Sequence, residues 1–460
     1  MMDSIEELKE EGNVKKLLEL LKEGEQKERE DAAKALGILG SKDALSDLID
    51  CLKNDPASTV RANAALALSN FEAEDCKNAL KGACEDEDWE VRHDTAIAMA
   101  DFEDNFFEDE LCELIEDKVT EVRKKALDSL GKIAGPDKIP MIEKFLEDED
   151  LKKHALRAIS NIDTEKSIGP LKRTYYDGDQ EMREIALEGL GRIGTEEAIE
   201  VISDALKDDS WRIREEATKT LGMEREKDHI EPLIQRLDDE KNYVVEAALR
   251  GLGRIGKDDL LTSIEGHLND DDPGIRIAAS EALGEFDSKK SGKLLLESMK
   301  KENNPRVLWS KSDAISRLSE DVLEEIENEI EYIFESKKVF INVGMIKGGF
   351  TSYVEETLDH LESDRWKIRQ KVAESLEKVN PSDMNKRTRK KLLNALQRRL
   401  KDNDKWVKAR SIRTLAKIID RSEKDDKTED IKDEILEMER TEVDEDVLEA
   451  VKDAKYVLTR

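Results

Sequence analysis

Apolar and basic residues recur along this chain at a spacing near 31 residues, in stretches whose apolar positions follow the period of an α-helix. In residues 181–194, EMREIALEGLGRIG, a basic residue is followed by an apolar residue three positions later, by another seven positions later and then by glycine. Arg183, Ala186, Leu190 and Gly191 hold these positions. Apolar residues at such intervals lie on one face of a helix, so the stretch predicts an amphipathic α-helix.

This register recurs ten times. Its first position is held in turn by Arg29, Arg61, Arg92, Arg123, Lys152, Arg183, Arg214, Val245, Arg276 and Lys311. Most of these markers lie 31 residues apart, and all steps fall between 29 and 35. A second amphipathic stretch, such as residues 198–206, precedes each one, and an acidic turn joins the two. We call the first helix A and the second helix B. Such a unit predicts a solenoid, because one hairpin alone cannot bury its apolar face.

Prolines and glycines predict where these helices begin and end. Pro140, Pro170 and Pro232 occur at matching phase, and proline is tolerated in the first turn of a helix, so they predict starts of A helices. Gly194 and Gly256 follow B helices. Because glycine accepts the left-handed conformation of a helix end, we expect helix B to stop at these residues.

The combined pattern of acidic turn, Val/Ile-Arg, Ala, Leu-Gly and closing glycine resembles HEAT repeats, specifically the short HEAT-like units of phycobilisome-lyase-related proteins. Residues 88–92 (DWEVR), 209–214 (DSWRIR) and 272–284 (DPGIRIAASEALG) carry the resemblance, which covers about residues 12–318. It implies an all-α fold, a right-handed α-solenoid (superhelix) of about 13–14 helical hairpins. HEAT repeats occur in scaffolds, adaptors, lyases and hydroxylases, so the resemblance leaves the activity open.

The regularity of the pattern divides the chain into four segments. Residues 1–318 form the regular HEAT-like array, and residues 319–380 contain degenerate repeats. Residues 381–421 form a basic repeat, and residues 422–460 form acidic helices that we expect to cap the C-terminal end. Solenoid ends need such caps because their last apolar face has no neighbour.

Composition restricts the classes of partner. The net charge is −33, charged residues make up 41% of the chain and aromatic residues 4%. This charge argues against general affinity for nucleic acid or acidic membranes, which bind cationic surfaces. The acidic N-terminus lacks the pattern of a signal peptide, and no run of about 18 apolar residues occurs. We therefore expect a soluble cytoplasmic protein without a membrane partner.

The cysteines and histidines give weak signals for chemistry. Cys51, Cys76, Cys84 and Cys112 lie on predicted helices without a Cys-x-x-Cys pair, so we expect small buried or half-buried residues. Zinc binding is the alternative, which lacks paired spacing. HEAT-type hydroxylases that bind two irons use repeated His-Glu pairs, whereas none of the five histidines here precedes glutamate. Only His93, followed by aspartate, comes near that pattern. We therefore expect no catalytic residues, no cofactor and no metal.

Several recurrent positions are candidates for binding. The marker arginines are expected to pair with a carboxylate of their own or the adjacent unit, and so to set the register of the repeats. A second basic series, Lys132, Arg192 and Arg254, lies in the last turn of helix B. A cation there interacts favourably with the helix end, but the same positions could form a binding stripe on the concave face.

Tryptophan also recurs at one place in the repeat. Trp89, Trp211, Trp366 and Trp406 lie at the starts of B helices. The interpretation that the sequence favours is structural, with each ring covering the joint between helices A and B. The functional alternative is a row of exposed anchors for a partner peptide, because tryptophan dominates binding hot spots.

The charge reverses sharply near the C-terminus. Residues 381–421 contain 14 Lys/Arg against 4 Asp/Glu, a net charge of +10, and residues 422–460 contain 7 against 15, a net charge of −8. The candidate contact residues are Lys386, Arg387, Arg389, Lys390, Lys391, Arg398, Arg399, Arg410 and Arg413. They could contact an acidic partner or nucleic acid, or the acidic tail could fold back onto them.

Together these features predict a non-enzymatic scaffold or adaptor that binds one or more proteins on a concave solenoid surface. Two alternatives remain open. One is a lyase-like or enzyme-associated HEAT protein that handles a cofactor or substrate for a partner, and the other is nucleic-acid contact through residues 386–413. The sequence leaves the partner and the oligomeric state unspecified.

Overall fold

The computed structural model describes residues 5–102, 105–223, 230–330, 335–422 and 425–459. All regular structure within these ranges is helical. The chain forms two compact units, Met1–Thr220 and Leu221–Arg460. The division of the sequence into four segments by regularity stays a prediction.

The first unit is built from helical hairpins. Its α-helices are α1 (Ile5–Glu10), α2 (Val14–Glu23), α3 (Gln26–Leu39), α4 (Leu45–Asn54), α5 (Ser58–Leu68), α6 (Glu74–Ala83), α7 (Trp89–Ala100), α8 (Glu108–Leu114), α9 (Thr120–Ile133), α10 (Ile139–Ile142), α11 (Lys152–Asn161), α12 (Glu165–Asp177), α13 (Gln180–Ile193) and α14 (Glu196–Ala205). Helix α15 (Trp211–Met223) runs across the division.

The second unit continues the same alternation. Its helices are α16 (Ile230–Gln235), α17 (Asn242–Ile255), α18 (Leu261–Glu265), α19 (Pro273–Leu283), α20 (Lys289–Lys301), α21 (Pro305–Ile315), α22 (Glu320–Ile330), α23 (Glu335–Lys347), α24 (Val354–Leu358), α25 (Trp366–Leu376), α26 (Lys386–Arg398), α27 (Lys405–Asp420), α28 (Asp426–Thr441) and α29 (Glu445–Leu458). Short 3-10 helices extend or precede several A helices, at Lys42–Ala44, Asn105–Phe107, Glu143–Glu147, Arg236–Asp238, Asp258–Leu260, Gly266–Asn269, Thr351–Tyr353, Asp359–Glu362, Pro381–Asp383 and Arg399–Lys401.

From α2 onward, each even-numbered helix is helix A of a hairpin and the next odd-numbered helix is its helix B. This gives fourteen hairpins in the described part of the chain. In both units, B helices of consecutive hairpins pack beside each other, as α3 does on α5 and α17 on α19. The register leucines, such as Leu36, Leu130 and Leu190, are fully buried. The predictions of an all-α solenoid and of about 13–14 hairpins are therefore confirmed.

Neighbouring B helices approach closely where glycine follows the register leucine. A Cβ atom on Gly253 would lie 2.6 Å from Cα of Ala282 in the next helix B, which is closer than such atoms can come. In the same way, Gly284 packs on Ala314. Glycine is required at these positions because the backbones of adjacent B helices touch there.

The contact between Gly284 and Ala314 corrects one predicted marker. In the other hairpins that have this glycine, it packs on a residue of the following helix B that lies six positions after the marker of that helix. Gly253, for example, packs on Ala282, which lies six positions after Arg276. Ala314 therefore assigns the marker position of α21 to Leu308. The predicted marker, Lys311, is therefore wrong by three residues, because the marker position of this helix holds a leucine and not a basic residue.

The helix boundaries follow the predicted signals in part. Helices α13 and α17 end at Gly194 and Gly256, whose φ values of 60° and 64° are left-handed, so these predictions are confirmed. Pro140 lies at the start of α10. Pro170 instead lies inside α12, which begins at Glu165, so the predicted helix start there is wrong. The helix tolerates the loss of one backbone hydrogen bond at this residue.

Candidate functional site

A repeated arginine contact joins consecutive hairpins. In α7, Nε and Nη2 of Arg92 donate to the two carboxylate oxygens of Asp117 at 2.6 and 3.1 Å, and Nη1 donates to the carbonyl oxygen of Asp86 at 2.7 Å. Arg92 is 4% exposed. Asp86 belongs to the turn before α7, and Asp117 to the turn of the next hairpin. One guanidinium thus fixes two successive turns in register.

We call this contact a rung. It recurs in both units, as the pairs Arg29–Asp55, Arg61–Asp86, Arg183–Asp208, Arg276–Glu302 and Arg369–Asp402. The hydrogen bonds that Arg92 donates to Asp117 raise the pKa of Arg92. Burial alone would raise the pKa of Asp117, but the hydrogen bond from Arg92 lowers it. The prediction that marker arginines pair with carboxylates of the adjacent unit is confirmed.

One rung of the first unit is interrupted, at a marker that is lysine instead of arginine. In α11 the marker is Lys152, whose Nζ lies 2.7 Å from Glu149 of its own turn. A groove of about 460 Å³ opens between this turn and the next, lined by Glu147, Asp177 and Asp179 among others. Among the described residues, no guanidinium bonds the register carboxylate Asp177, whereas the same position binds one in neighbouring hairpins.

Lys311 is fully buried near another rung. Its Nζ donates to the carbonyl oxygen of Ser298 at 3.2 Å and lies 3.7 Å from Glu302, which already binds Arg276. Burial lowers the pKa of Lys311 to about 8. This lysine is held at the C-terminal end of α20, where cations are favoured, but in a poorly solvated position.

The three predicted stripe residues have different surroundings. Lys132 is exposed and lies 4.0 Å from Asp101. Arg192 donates to the carbonyl oxygen of Ser160 at 3.0 Å and to its hydroxyl at 2.7 Å, so it caps the end of the preceding helix B, α11. Arg254 is exposed and lines a shallow groove of about 210 Å³. As binding residues, all three stay a prediction.

The acidic tail folds back onto the basic region. Lys408 bonds Glu442 at 2.9 Å in the position of a further rung. Two candidate residues also reach this tail, as Arg413 bonds Asp453 at 2.8 Å and Arg389 lies 3.6 Å from Asp425. Helices α28 and α29 form a regular hairpin, with α29 packed beside α27.

Other candidate residues pair with the preceding hairpins. Lys391 contacts Glu355. Arg398 and Arg399 bond Glu362 at 3.2 and 2.8 Å. Arg410 lies 3.4 Å from Glu377, beside Lys417. Six of the nine cations predicted between residues 386 and 413 therefore contact carboxylates of their own chain.

The remaining three candidates lie together at the start of α26. Lys386, Arg387 and Lys390 are exposed, and within the described ranges they have no hydrogen bond or ion pair. Asn385 caps the helix through its side chain. The part of the basic region whose cations are not paired with carboxylates is thus much smaller than the net charge of the region suggests.

A second surface combines an exposed tryptophan with carboxylates. The first residue of α7, Trp89, is 41% exposed. It lines a groove of about 360 Å³ formed by three consecutive B helices, with Asn63 from α5, Glu90 and Asp94 from α7 and Glu121 from α9. Of the described residues that line it, none is lysine or arginine. We call this surface the Trp89 groove.

Side chains within the Trp89 groove are held by their neighbours. The indole of Trp89 contacts the imidazole ring of His93 edge-on, with ring centroids 6.2 Å apart. Nδ1 of His93 lies 2.8 Å from the carboxylate of Asp94. A hydrogen bond from Lys124 lowers the pKa of Glu121. The groove is therefore aromatic and anionic at neutral pH.

The other tryptophans differ in exposure. Trp366 and Trp406 are 36% and 45% exposed, and Trp211 is half-buried. Lysine ammonium groups lie 5.5 and 4.9 Å from the ring centroids of Trp366 and Trp406. The rings at three of the four positions are thus partly exposed, and both interpretations of the four tryptophans stay predictions.

The cysteines match their prediction. Cys51, Cys76 and Cys84 are buried and Cys112 is half-buried, all as free thiols. Burial raises the pKa of Cys51 and Cys84 to about 12 and that of Cys76 to about 11, so these thiols are protonated at neutral pH. The described residues contain no cluster of His, Cys, Asp and Glu able to hold a metal ion, and no helix among them is long and apolar enough to span a bilayer. His229 lies outside them.

Comparison with known proteins identifies the repeat. The family model described as HEAT repeats matches residues 2–69, 51–118, 77–160, 108–178, 171–249 and 230–312, which together span well over half of the chain. The phycobilisome-lyase-related subtype is not confirmed by this match.

Similar proteins include one curated relative over a short stretch. Deoxyhypusine hydroxylase from Candida glabrata is 54% identical over 43 residues, which are 9% of this chain and 13% of the relative. The match thus spans about one eighth of the length of that enzyme.

Among solved structures, yeast importin-β (Kap95p) is similar with a TM-score of 0.51 and 12% identity, over 97% of this chain and 72% of that chain. A chain of the Kap95:Nup1 complex is similar with a TM-score of 0.52 and 13% identity, over 99% and 74%. At these identities the likeness concerns the fold, which in both is a solenoid as here. With the repeat matched along most of its length, this chain belongs to the HEAT-repeat family.

Proposed function

We propose that this protein is a non-enzymatic cytoplasmic scaffold that binds basic segments of partner proteins along its B helices, centred on the Trp89 groove. The observation that carries the proposal is the composition of this groove, which places an exposed indole among three carboxylates. Tryptophan is among the residues that contribute most to protein interfaces. Carboxylates around it favour a partner rich in arginine or lysine, because complementary charge steers association and excludes wrong partners.

The rungs support a scaffold role by fixing the surface before a partner arrives. Each guanidinium joins two turns, so the side chains of consecutive B helices hold defined spacings. A surface that is ordered in advance loses less conformational entropy on binding, which increases affinity. The chain's net charge of −33 also favours basic proteins over nucleic acid as partners.

The test begins with affinity capture from native extract and identification of a stoichiometric partner. Binding of the purified partner is then measured by calorimetry for the wild type, Trp89→Ala and Tyr176→Ala. We expect Trp89→Ala to weaken binding about tenfold or more, because it truncates the proposed central anchor. Tyr176→Ala is the control, since it removes an exposed aromatic ring from a helix A, α12, outside the proposed surface.

Equal affinity of the wild type and Trp89→Ala would contradict the proposed site. A coloured or metal-bearing purified protein, or turnover by the captured complex, would instead favour the lyase-like or enzyme-associated alternative. The short match to deoxyhypusine hydroxylase motivates that assay, although it covers a small part of either chain.

A second candidate function concerns anions. Lys386, Arg387 and Lys390 lie within two turns of α26, exposed and without ion pairs in the part of the chain that the structure describes. We propose nucleic-acid phosphate as their ligand. Binding measured by fluorescence anisotropy should fall with salt and disappear when all three are changed to glutamate.

The matched control for this test changes the same charge elsewhere. Lys34, Lys118 and Lys144 are exposed cations of the first unit, and their change to glutamate should leave nucleic-acid binding nearly intact. Absence of binding by the wild type at low salt, or equal loss in both triple variants, would exclude a specific contact at α26.

A further inference from the structure

The interrupted rung at α11 keeps the backbone acceptors of a rung. In complete rungs, Nη1 of the marker arginine donates to the carbonyl oxygens of the sixth and fifth residues before it, as Arg92 does at 2.7 and 3.3 Å. Arg276 repeats this pattern at 2.8 and 3.0 Å. The residues at these two positions before Lys152 are Leu146 and Glu147. Neither carbonyl oxygen accepts a hydrogen bond from the described part of the chain.

The carboxylate of the interrupted rung is also without a donor. Asp177 lies 25 residues after Lys152, as Asp117 lies 25 residues after Arg92. Among the described residues, the side chain of Asp177 forms no hydrogen bond or ion pair. Asp177 and the two residues with the open carbonyl groups line the same groove of about 460 Å³. This groove therefore brings together the acceptors that hold a guanidinium elsewhere in the chain.

The two cations that line the groove already have partners. Nζ of Lys152 lies 2.7 Å from Glu149, and Arg173 forms an ion pair with Glu143. In total, five carboxylates and two cations line the groove, so its charge is negative. A negative groove attracts a further cation, because complementary charge steers association.

Apolar side chains complete the lining of the groove. Leu146, Pro170 and Met182 contribute to it, and the last two are buried. An arginine side chain joins an aliphatic stem to a planar guanidinium with five N–H donors. The stem matches the apolar lining, and the guanidinium matches a carboxylate together with two carbonyl oxygens. The volume falls in the range of about 300–1,000 Å³ that is common for ligand sites.

We propose that this groove binds an arginine side chain of a partner protein, which completes the interrupted rung through Asp177 and the carbonyl oxygens of Leu146 and Glu147. Arginine is favoured over lysine because an ammonium group lacks the planar fork, and over a small guanidine because the guanidine lacks the stem. The groove lies at the turns before α11 and α13, so it is separate from the Trp89 groove on α5, α7 and α9.

The test uses the full chain and a blocked peptide, acetyl-Gly-Gly-Arg-Gly-Gly-amide, in an NMR titration. We expect saturable binding of this arginine peptide. The same peptide with citrulline, the neutral isostere of arginine, should bind at least about tenfold more weakly because it lacks the charge. A peptide with lysine should bind about threefold more weakly, since an ammonium group cannot reach several acceptors in one plane.

Lys152→Arg tests the rung geometry without a change of net charge. The new guanidinium should close the rung from within the chain, so we expect a higher unfolding temperature together with at least about tenfold weaker binding of the arginine peptide. Asp177→Asn should weaken binding about tenfold, and it should fold normally because Asp177 is exposed. Asp163→Asn is the matched control, at an exposed aspartate that precedes α12 and lies outside the groove.

Equal binding of the arginine peptide by the wild type and Lys152→Arg would overturn the proposal. No saturable binding, or equal weakening by Asp177→Asn and Asp163→Asn, would also overturn it. Tighter binding of propylguanidinium than of the arginine peptide would assign the groove to a small guanidine instead of a partner protein. Trp89→Ala should leave peptide binding unchanged, so failure of this proposal and failure of the Trp89 groove are distinguishable.

Discussion

At the scale of single residues, buried arginine pairs hold this protein in register. The Arg92 guanidinium satisfies a carboxylate and a carbonyl group from two turns, and little of it reaches solvent. A buried ion pair often contributes little compared with an apolar replacement, but removal of one partner leaves the other charge uncompensated. Loss of a single rung should therefore be costly.

We predict that Arg92→Ala lowers the free energy of unfolding by about 3–5 kcal/mol, because Asp117 would stay buried without its partner. Lys152→Ala is the matched control. Its pair with Glu149 is exposed, so the loss should be at most about 1 kcal/mol. Chemical denaturation with circular dichroism measures both changes, and equal losses would refute a special role for the rung.

Lys311 gives a prediction about pH. Its pKa in the folded protein is about 8, below the ordinary value of 10.5, so the unfolded chain holds the proton more tightly. The stability of the wild type should therefore rise as the pH increases from about 8 towards 10.5. Lys311→Met removes this titration and should be more stable than the wild type at pH 7 by about 3 kcal/mol.

The stability advantage of Lys311→Met over the wild type should shrink as the pH rises from about 8 towards 10.5. Unfolding measured at several pH values tests this expectation. A difference that does not change with pH would show that the charge of Lys311 is not the cause. A less stable variant at pH 7 would show that the hydrogen bond to Ser298 outweighs the cost of burial.

At the scale of helices, the spacing between B helices depends on small residues. We predict that Gly253→Ala destabilises the protein by about 1–3 kcal/mol, because the added Cβ would meet the backbone of Ala282 at 2.6 Å. The control is Gly82→Ala, at a helical position with nothing within 4 Å. There the better helix propensity of alanine should stabilise the protein by up to about 1 kcal/mol. Thermal unfolding of both variants should give opposite signs, and the same sign would contradict the packing argument.

The last hairpin also has a testable role. Deletion of residues 423–460 would remove α28 and α29, exposing the apolar face of α27 and releasing Lys408 and Arg413 from their carboxylates. We expect larger and less uniform particles than the full chain forms, measured by light scattering. We also expect salt-sensitive nucleic-acid binding at least tenfold tighter than that of the full chain. An unchanged particle size and unchanged binding would contradict the account of the tail.

At the scale of the whole molecule, the repeat could be predicted because it is a one-dimensional signal. The spacing of apolar residues, the acidic turns and Gly194 and Gly256 each depend on neighbours within about one helix, so they are visible in the sequence. Two predictions were wrong, namely a marker at Lys311 and a helix start at Pro170. In both, the type of one residue was given more weight than the pattern of the helix around it. A solenoid grows by local contacts between adjacent units, which is why its fold was more predictable than its surfaces.

Those surfaces depend on contacts that a linear pattern does not specify. The pairing of Arg413 with Asp453 spans 40 residues and neutralises part of the basic region. The Trp89 groove combines residues of three helices. The sequence singled out only Trp89 and His93 among them, and it did so for two unrelated reasons. Net charge along the chain did not reveal which charges were already paired.

The central claim is that partners bind at the Trp89 groove, and photo-crosslinking tests it most directly. A photoreactive amino acid is placed at Asn63, inside the groove, and in a second protein at Glu74, an exposed residue of helix A in the next hairpin. After capture of the partner and irradiation, we predict a covalent adduct from position 63, with its peptide from a basic segment, and little adduct from position 74. Efficient crosslinking from position 74 with none from position 63 would contradict the account.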